Sequence, residues 1–263
     1  MTKRPVNAGL SRRSLLTGLA ATAAATVAAG SAALPRSAVK TWDMSTDVLV
    51  IGSGSAGVCA AIEARQAGAE VMLIESLSQF GGSSAMSGGV VYAGGGTALQ
   101  KALKVDDSVE EMYRFVALAG DANPPLDKIA LYCEESPAHF DWLVAQGIPY
   151  SEKLTLAKGL PMGDESLYFS GTEQAWPARE LAKPALRGHV PGVDGMNGGR
   201  RLMEALVSRA YTLGVSLPAS VSADRLVIES DGRIAGVIVT AAGEALAIQA
   251  KRCPLYTSDA SDE

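Results

Sequence analysis

Apolar and polar positions fall into two periods along this chain. Residues 47–51 form a short apolar run, too brief for a helix, and read as a buried parallel strand. A glycine-rich turn follows over 52–57. Residues 58–67 then place small and apolar side chains at helical spacing until Gly68 stops them. Residues 70–74 are a second apolar run. Strand, turn, helix and strand within about thirty residues make a βαβ unit.

Helical spacing returns further on. Ser108 and Glu111 form a capping-box pattern ahead of Met112, Phe115 and Val116. Ser136, with Pro137 at a first helical position, predicts a helix that begins there and stops at Gly147. Residues 148–198 show no clear period and predict irregular structure. An amphipathic helix follows, with Leu202, Leu206 and Ala210 on one face and Gly214 as its stop. Beyond residue 223 the pattern is strand-like: "RLVIES", "RIAGVIVT" and "EALAIQA" are joined at Asp231-Gly232 and Ala242-Gly243. These runs predict a three-stranded meander.

A length of 263 residues allows one large domain or two small ones. Charge is placed unevenly. Residues 1–40 hold Lys3, Arg4, Arg12, Arg13, Arg36 and Lys40 and no acid, so all 28 acidic residues lie beyond them. The acidic remainder argues against a nucleic-acid surface, which needs clustered basic charge. Cys59, Cys133 and Cys253 are far apart, with no CxxC pair, so no disulfide framework or metal site follows. Cys59 reads as a small core residue.

The first forty residues read as an address. Ser11-Arg12-Arg13-Ser14-Leu15-Leu16 resembles the twin-arginine export motif, and residues 14–35 are uncharged. The expectation is export by the twin-arginine machinery to a periplasmic or other extracytoplasmic location, with cleavage after Ala32 or Ala33. A retained membrane anchor is the competing reading, because the run is about long enough to span. Thr17, Thr22 and Thr26 make it a poor lipid-facing helix.

The chemistry lies in the glycines. Gly52-Ser53-Gly54-Ser55-Ala56-Gly57 is GxGxxG: Gly52 permits the tight turn, Gly54 a close backbone approach to pyrophosphate, and Gly57 close helix–strand packing. Phosphates favour the helix N-terminus. Glu75, at the end of the second strand, is placed to accept ribose hydroxyls. FAD and NAD both use this unit. "GGSSAMSGG" follows within a few residues, and a nicotinamide dehydrogenase has no reason to place a second Gly/Ser loop there. The loop, the meander and the early cofactor loading that suits export favour FAD. An NAD-dependent dehydrogenase and a non-catalytic nucleotide-binding fragment are the alternatives.

The glycine motifs, Glu75-Ser76, "GGSSAMSGG", "DWLVAQGI", "RGHVPG...GG" and "DGRIAGVIV" together resemble the flavoprotein family of soluble fumarate reductases and 3-ketosteroid dehydrogenases, over about residues 47–252. "LYFSGTEQAWPARELAKPALRGH" leans to the steroid branch. The resemblance implies an α/β, Rossmann-like FAD-binding domain of the glutathione-reductase type with a β-meander. It also implies a hydride passing between flavin N5 and a carbon of a small-molecule substrate beside an activated C–C bond. Gly52, Ser53, Gly54, Ser55, Ala56 and Gly57 would line the pyrophosphate, and Glu75 the adenosine ribose with Ser76 beside it. Gly82, Ser83, Ser84, Ser87, Gly88 and Gly89 would run along the flavin, and the Ala223 backbone would meet adenine. No histidine lies beside the Gly/Ser loop, where Tyr92 is the nearest large polar residue, so FAD is expected to be non-covalent. Arg187 and His189 match a segment that touches a substrate carboxylate in fumarate-reductase relatives. His139 reads as structural. The electron partner and the catalytic acid or base stay open.

The domain organisation that results is a signal segment over 1–40, an incomplete FAD-binding domain over 45–252 and a tail over 253–263. The tail, "CPLYTSDASDE", is polar and aperiodic where the family continues into a strand, and it resembles a translated sequencing adapter. The expectation is therefore a truncated, N-terminal portion of a longer enzyme, inactive as it stands.

Overall fold

The computed structural model describes residues 33–120, 123–193, 195–251 and 255–256. Arg12, Arg13, most of the export signal and Cys253 lie outside the described residues. The chain enters through two short strands, β1 (Leu34–Pro35) and β2 (Met44–Thr46). Next come β3 (Val48–Ile51) and β4 (Val71–Ile74), which pair in parallel with Val48 opposite Val71 and Ile51 opposite Ile74. They are joined by α1 (Ser55–Gln66). This helix starts three residues before its apolar spacing begins, because Gly54 is itself the N-cap, in extended conformation. Gly52, at φ 94°, and Gly68, at φ 88°, make the turns at either end, where a side chain would be strained.

Both faces of this parallel layer are covered, which is why its strands read as unbroken apolar runs. On one face, Val58 and Ile62 of α1 and Leu202 and Leu206 of a later helix, α7 (Gly198–Thr212), pack on Val50 and Leu73. On the other face, Leu49 and Ile74 meet Val237, Val239 and Ile248 of the meander. Each such side chain contributes about 1.5–3 kcal/mol when fully buried.

The meander is formed by β9 (Val221–Ile228), β10 (Ile234–Ala241) and β11 (Glu244–Ala250), antiparallel throughout. Ala242 and Gly243 both have positive φ, 51° and 85°, the type I′ geometry whose twist matches the flanking strands. The chain's entry strands extend this sheet: β1 pairs with β9 and β2 with β11, giving the order β1-β9-β10-β11-β2.

Several sequence expectations are corrected. Residues 148–198 are not irregular: β6 (Leu154–Lys158), β7 (Leu167–Phe169) and β8 (Gly188–His189) join β5 (Val91–Tyr92) in a sheet of order β5-β8-β7-β6. Strands of two to five residues are too short to show an alternation. The Gly/Ser loop contains a short helix, α2 (Gly82–Met86). It is followed by α3 (Ala98–Ala102), α4 (Val109–Ala119) and α5 (Leu126–Ala145), and α6 (Ala178–Leu181) precedes β8. Pro137 does not start a helix. It lies inside α5, which stays continuous because Cys133, Phe140 and Leu143 are buried along one side of it. Ser136 is no cap either, since its hydroxyl accepts from Gly94 N at 2.9 Å. Leu255–Tyr256 forms β12, parallel to β3, so over these two residues the aperiodic tail is a strand of the parallel layer.

Candidate functional site

The start of α1 is an anion-favouring end: its dipole is positive, its first N–H groups have no intrahelical partner, and Ser55 and Ala56 are exposed there. The Gly/Ser segment comes directly against it. Ser84 Oγ accepts from Ser55 N at 3.1 Å and lies 3.2 Å from Ser55 Oγ. On its other side the segment rests on the first turn of α7. Gly199 N donates to Ser87 O at 3.2 Å, and a Cβ on Gly89, Gly198 or Gly199 would collide with backbone across this contact. Backbone meets backbone here, and only glycine allows it.

Glu75 is buried at the end of β4. Its carboxylate accepts from Ser53 N at 2.9 Å, Ser53 Oγ at 2.5 Å, Leu77 N at 2.9 Å and Ser76 Oγ at 3.1 Å. Burial pushes its pKa up, but the donors from Leu77, Ser53 and Ser76 outweigh it and hold the carboxyl below its ordinary value. Two of those donors are hydroxyls, which rotate, so ribose hydroxyls can take their place. An ionised carboxylate beside a helix N-terminus under a glycine turn suits a ribose next to a pyrophosphate. These residues fit the ADP part of a dinucleotide.

A match to the model of the FAD binding domain family runs over residues 47–259. The chain belongs to this FAD-binding family. Its cofactor is therefore FAD. It is 35% identical over 204 residues to 3-oxo-5-alpha-steroid 4-dehydrogenase of Comamonas testosteroni, covering 75% of this chain and 38% of that protein. It is 44% identical over 114 residues to an acrylate reductase flavoprotein subunit of Shewanella woodyi, covering 42% of this chain and 22% of that protein. Among solved structures, 3-ketosteroid-Δ4-(5α)-dehydrogenase of Rhodococcus jostii superimposes with a TM-score of 0.81 at 41% identity, over 85% of this chain and 48% of that one. A flavocytochrome c3 fumarate reductase shares the fold, with a TM-score of 0.66 at 23% identity, over 97% of this chain and 37% of that one. The chain thus spans less than half the length of these relatives.

Within this FAD-binding fold, most of the residues expected to line the cofactor lie near one another, and Ala223 lies apart. Gly52–Gly57, Glu75, Ser76 and Ser84 surround the start of α1, with Ser87, Gly88 and Gly89 continuing toward α7. Ala223 sits inside β9, opposite Val239, and is exposed. The residues that meet Glu75 and Leu77 are earlier: Val221 N donates to Glu75 O at 2.8 Å and Ser220 N to Leu77 O at 3.0 Å. A groove of about 1100 Å³ between α2 and α7, lined by Phe80, Met86, Met203, Val207 and Tyr211, includes none of the expected cofactor residues.

Arg187 and His189 lie just before and within β8, beside β5, and both side chains are fully buried. Arg187 makes a two-point ion pair with Asp107, Nε to Oδ2 at 3.0 Å and Nη2 to Oδ1 at 2.6 Å. Burial pushes the Asp107 pKa up, but Arg187 above all, with Gln100 and Gly95, holds it below its ordinary value. Gly94 makes room for this pair, since a Cβ there would meet Asp107 Oδ2 and Arg187 Cδ. His189 Nδ1 lies 3.1 Å from Arg187 O and Nε2 lies 3.0 Å from Thr97 Oγ1. The carbonyl can only accept, so Nδ1 carries the proton and Nε2 accepts from the Thr97 hydroxyl. Thr97 also makes the full capping box with Gln100 at the start of α3. That T-x-x-Q pattern was available in the sequence and escaped the reading above. Asp107, the partner of Arg187, had no local signal at all. His139 is exposed on α5, where it stacks on the half-buried Trp142. Cys59 and Cys133 are free thiols, and no cluster suited to a metal occurs among the described residues. No described helix is long and apolar enough to cross a membrane.

Proposed function

We propose that this chain carries the FAD-binding part of an exported oxidoreductase acting on a ketosteroid-like substrate, at a carbon beside a carbonyl-activated C–C bond. When bound, FAD supplies hydride donation and acceptance at N5. The chain's own residues bind and orient it: the start of α1 and Ser84 take the pyrophosphate, Glu75 the ribose, and the backbone of Ser87, Gly88 and Gly89 the flavin side. Attachment is non-covalent. Tyr92 is the nearest large polar side chain to the loop, and its hydroxyl is buried.

The observation that carries the steroid reading is the commitment of Arg187 to Asp107. The fumarate-type reading offers Arg187 as a contact for a substrate carboxylate, and Arg187 is instead held inside the protein by its own carboxylate. Its role, with that of His189, is then to support the strand beside the flavin loop. The names of the Comamonas and Rhodococcus relatives agree with this reading. A second reading, reduction of a small unsaturated acid, draws on the 44% identity to the acrylate reductase subunit.

Incubation of the FAD-loaded whole oxidoreductase that carries this FAD-binding part with a saturated 3-oxo-steroid should bleach the flavin, and fumarate or acrylate should not reoxidise the reduced form. Reoxidation by fumarate with no response to steroid would sink the steroid reading. Acid precipitation should leave the flavin in solution. For export, replacing Arg12 and Arg13 by lysine should keep the protein in the cytoplasm. An unchanged distribution would remove the twin-arginine route.

A further inference from the structure

We propose that Tyr92 is a positioning residue for the flavin: wedged between Arg187 and Glu173, it fixes the strand that ends the Gly/Ser loop against the loop after β7. The inference rests on the FAD reading and goes beyond it. Tyr92 lies three residues past Gly89, in β5, where its backbone pairs with Gly188. Its carbonyl accepts from the Tyr132 hydroxyl, and its ring stacks on Phe115 at 6.1 Å between centroids. Arg187 lies over the other partner of that stack, 5.6 Å from the Phe115 ring. The phenol is buried beside the charge cluster of Arg187.

That cluster is incomplete without it. Arg187 spends Nε and Nη2 on Asp107, and Glu173 spends Oε2 on Gly171 N at 3.0 Å. Arg187 Nη1, Glu173 Oε1 and Tyr92 Oη are all buried without a hydrogen-bond partner, and the Arg187 and Glu173 charges both act on the Tyr92 phenol. Arg187 can only donate and a carboxylate only accepts, while a phenol does both. Tyr92 alone among the three can accept from Nη1 and donate to Oε1 at once. Burial first, and then the Glu173 charge, raise the phenol's pKa, so it keeps the proton it has to donate. A small rotation of the ring closes the chain Asp107–Arg187–Tyr92–Glu173. It ties three separate segments to the strand that follows the flavin loop.

The test is FAD affinity of the full chain, by flavin fluorescence, with the midpoint potential of the bound flavin as a second readout. Tyr92→Phe should bind FAD about ten-fold more weakly, the worth of one buried hydrogen bond to a charged group, and should shift the potential. Glu173→Ala should behave alike, which keeps the test open if Tyr92→Phe does not fold. Glu173→Gln, whose amide oxygen still accepts, should restore affinity to within about two-fold. A Tyr92→Phe protein that melts earlier yet binds FAD with wild-type affinity and potential overturns the proposal and leaves the cofactor reading standing. A folded wild-type chain that takes up no FAD overturns both.

Discussion

Ser84 caps α1: its hydroxyl accepts from Ser55 N at 3.1 Å across 29 residues of sequence. The cap of this helix is thus supplied by the Gly/Ser loop, proposed above to lie along the flavin, and the two motifs share one hydrogen bond. Ser84→Ala should destabilise the FAD-free protein by about 1 kcal/mol, the usual worth of an N-terminal cap. The loss should shrink in the FAD-loaded protein, where pyrophosphate oxygens take over the same N–H groups. Thermal melts with and without FAD read the difference. An equal loss in both would mean that the hydroxyl is not displaced.

Glu75 anchors two backbone donors, Ser53 N and Leu77 N, at the mouth of the site. Glu75→Ala strands the buried Ser53 N, at about 1–3 kcal/mol, and leaves Leu77 N, on an exposed residue, to water. Urea unfolding of the FAD-free protein should register that loss, and FAD affinity should fall with it. Glu75→Gln keeps an acceptor oxygen but loses the charge, so it should recover most of the stability while still binding FAD weakly. Wild-type affinity in Glu75→Gln would remove the carboxylate from the ribose site.

The glycine turn, the Gly/Ser segment and the meander were legible because their causes are local: a φ only glycine adopts, or a two-residue turn. The rest depends on distance. Pro137 reads as a helix start, and only the burial of Cys133 and Phe140 carries α5 through it. Arg187 reads as a substrate cation until Asp107, eighty residues earlier, is seen to hold it. The strands β6 to β8 exist because they pair with one another, not because of any period within them. Glu173 gave no signal, since nothing in "SGTEQAW" distinguishes a buried carboxylate from a solvated one.

His189 should make stability depend on pH. Burial pushes its pKa down to about 4, against the hydrogen bond to Arg187 O and the Asp107 charge, which raise it. The unfolded chain, with an imidazole pKa of about 6.5, binds the proton that the folded chain refuses, so stability falls as pH drops from 6.5 toward 4. The window of about 2.5 units corresponds to about 3 kcal/mol. His189→Asn should remove that part of the slope, with urea midpoints compared at pH 7 and pH 4.5. Parallel slopes for variant and wild type would show that the folded imidazole protonates normally.

Residues 33–46 precede the family match yet are part of the sheet. β1 covers the outer edge of β9 and β2 that of β11, so both open edges of the meander are closed by one short stretch of chain. Between them Trp42, under Arg36 at 5.0 Å, lies on Gly236, where a Cβ would strike both the indole and Ile248 O. A protein starting at Asp47, the first residue of the family match, would expose two paired-strand edges and lose the Trp42 packing. Such edges recruit other strands. Size-exclusion chromatography should therefore show a shift to larger species relative to a protein starting at Ala33. Gly236→Ala should reproduce part of the loss with the chain intact, by driving Trp42 off the sheet and raising the exposure of its fluorescence to quencher. A monomeric, equally stable protein from residue 47 would mean that the meander protects its own edges.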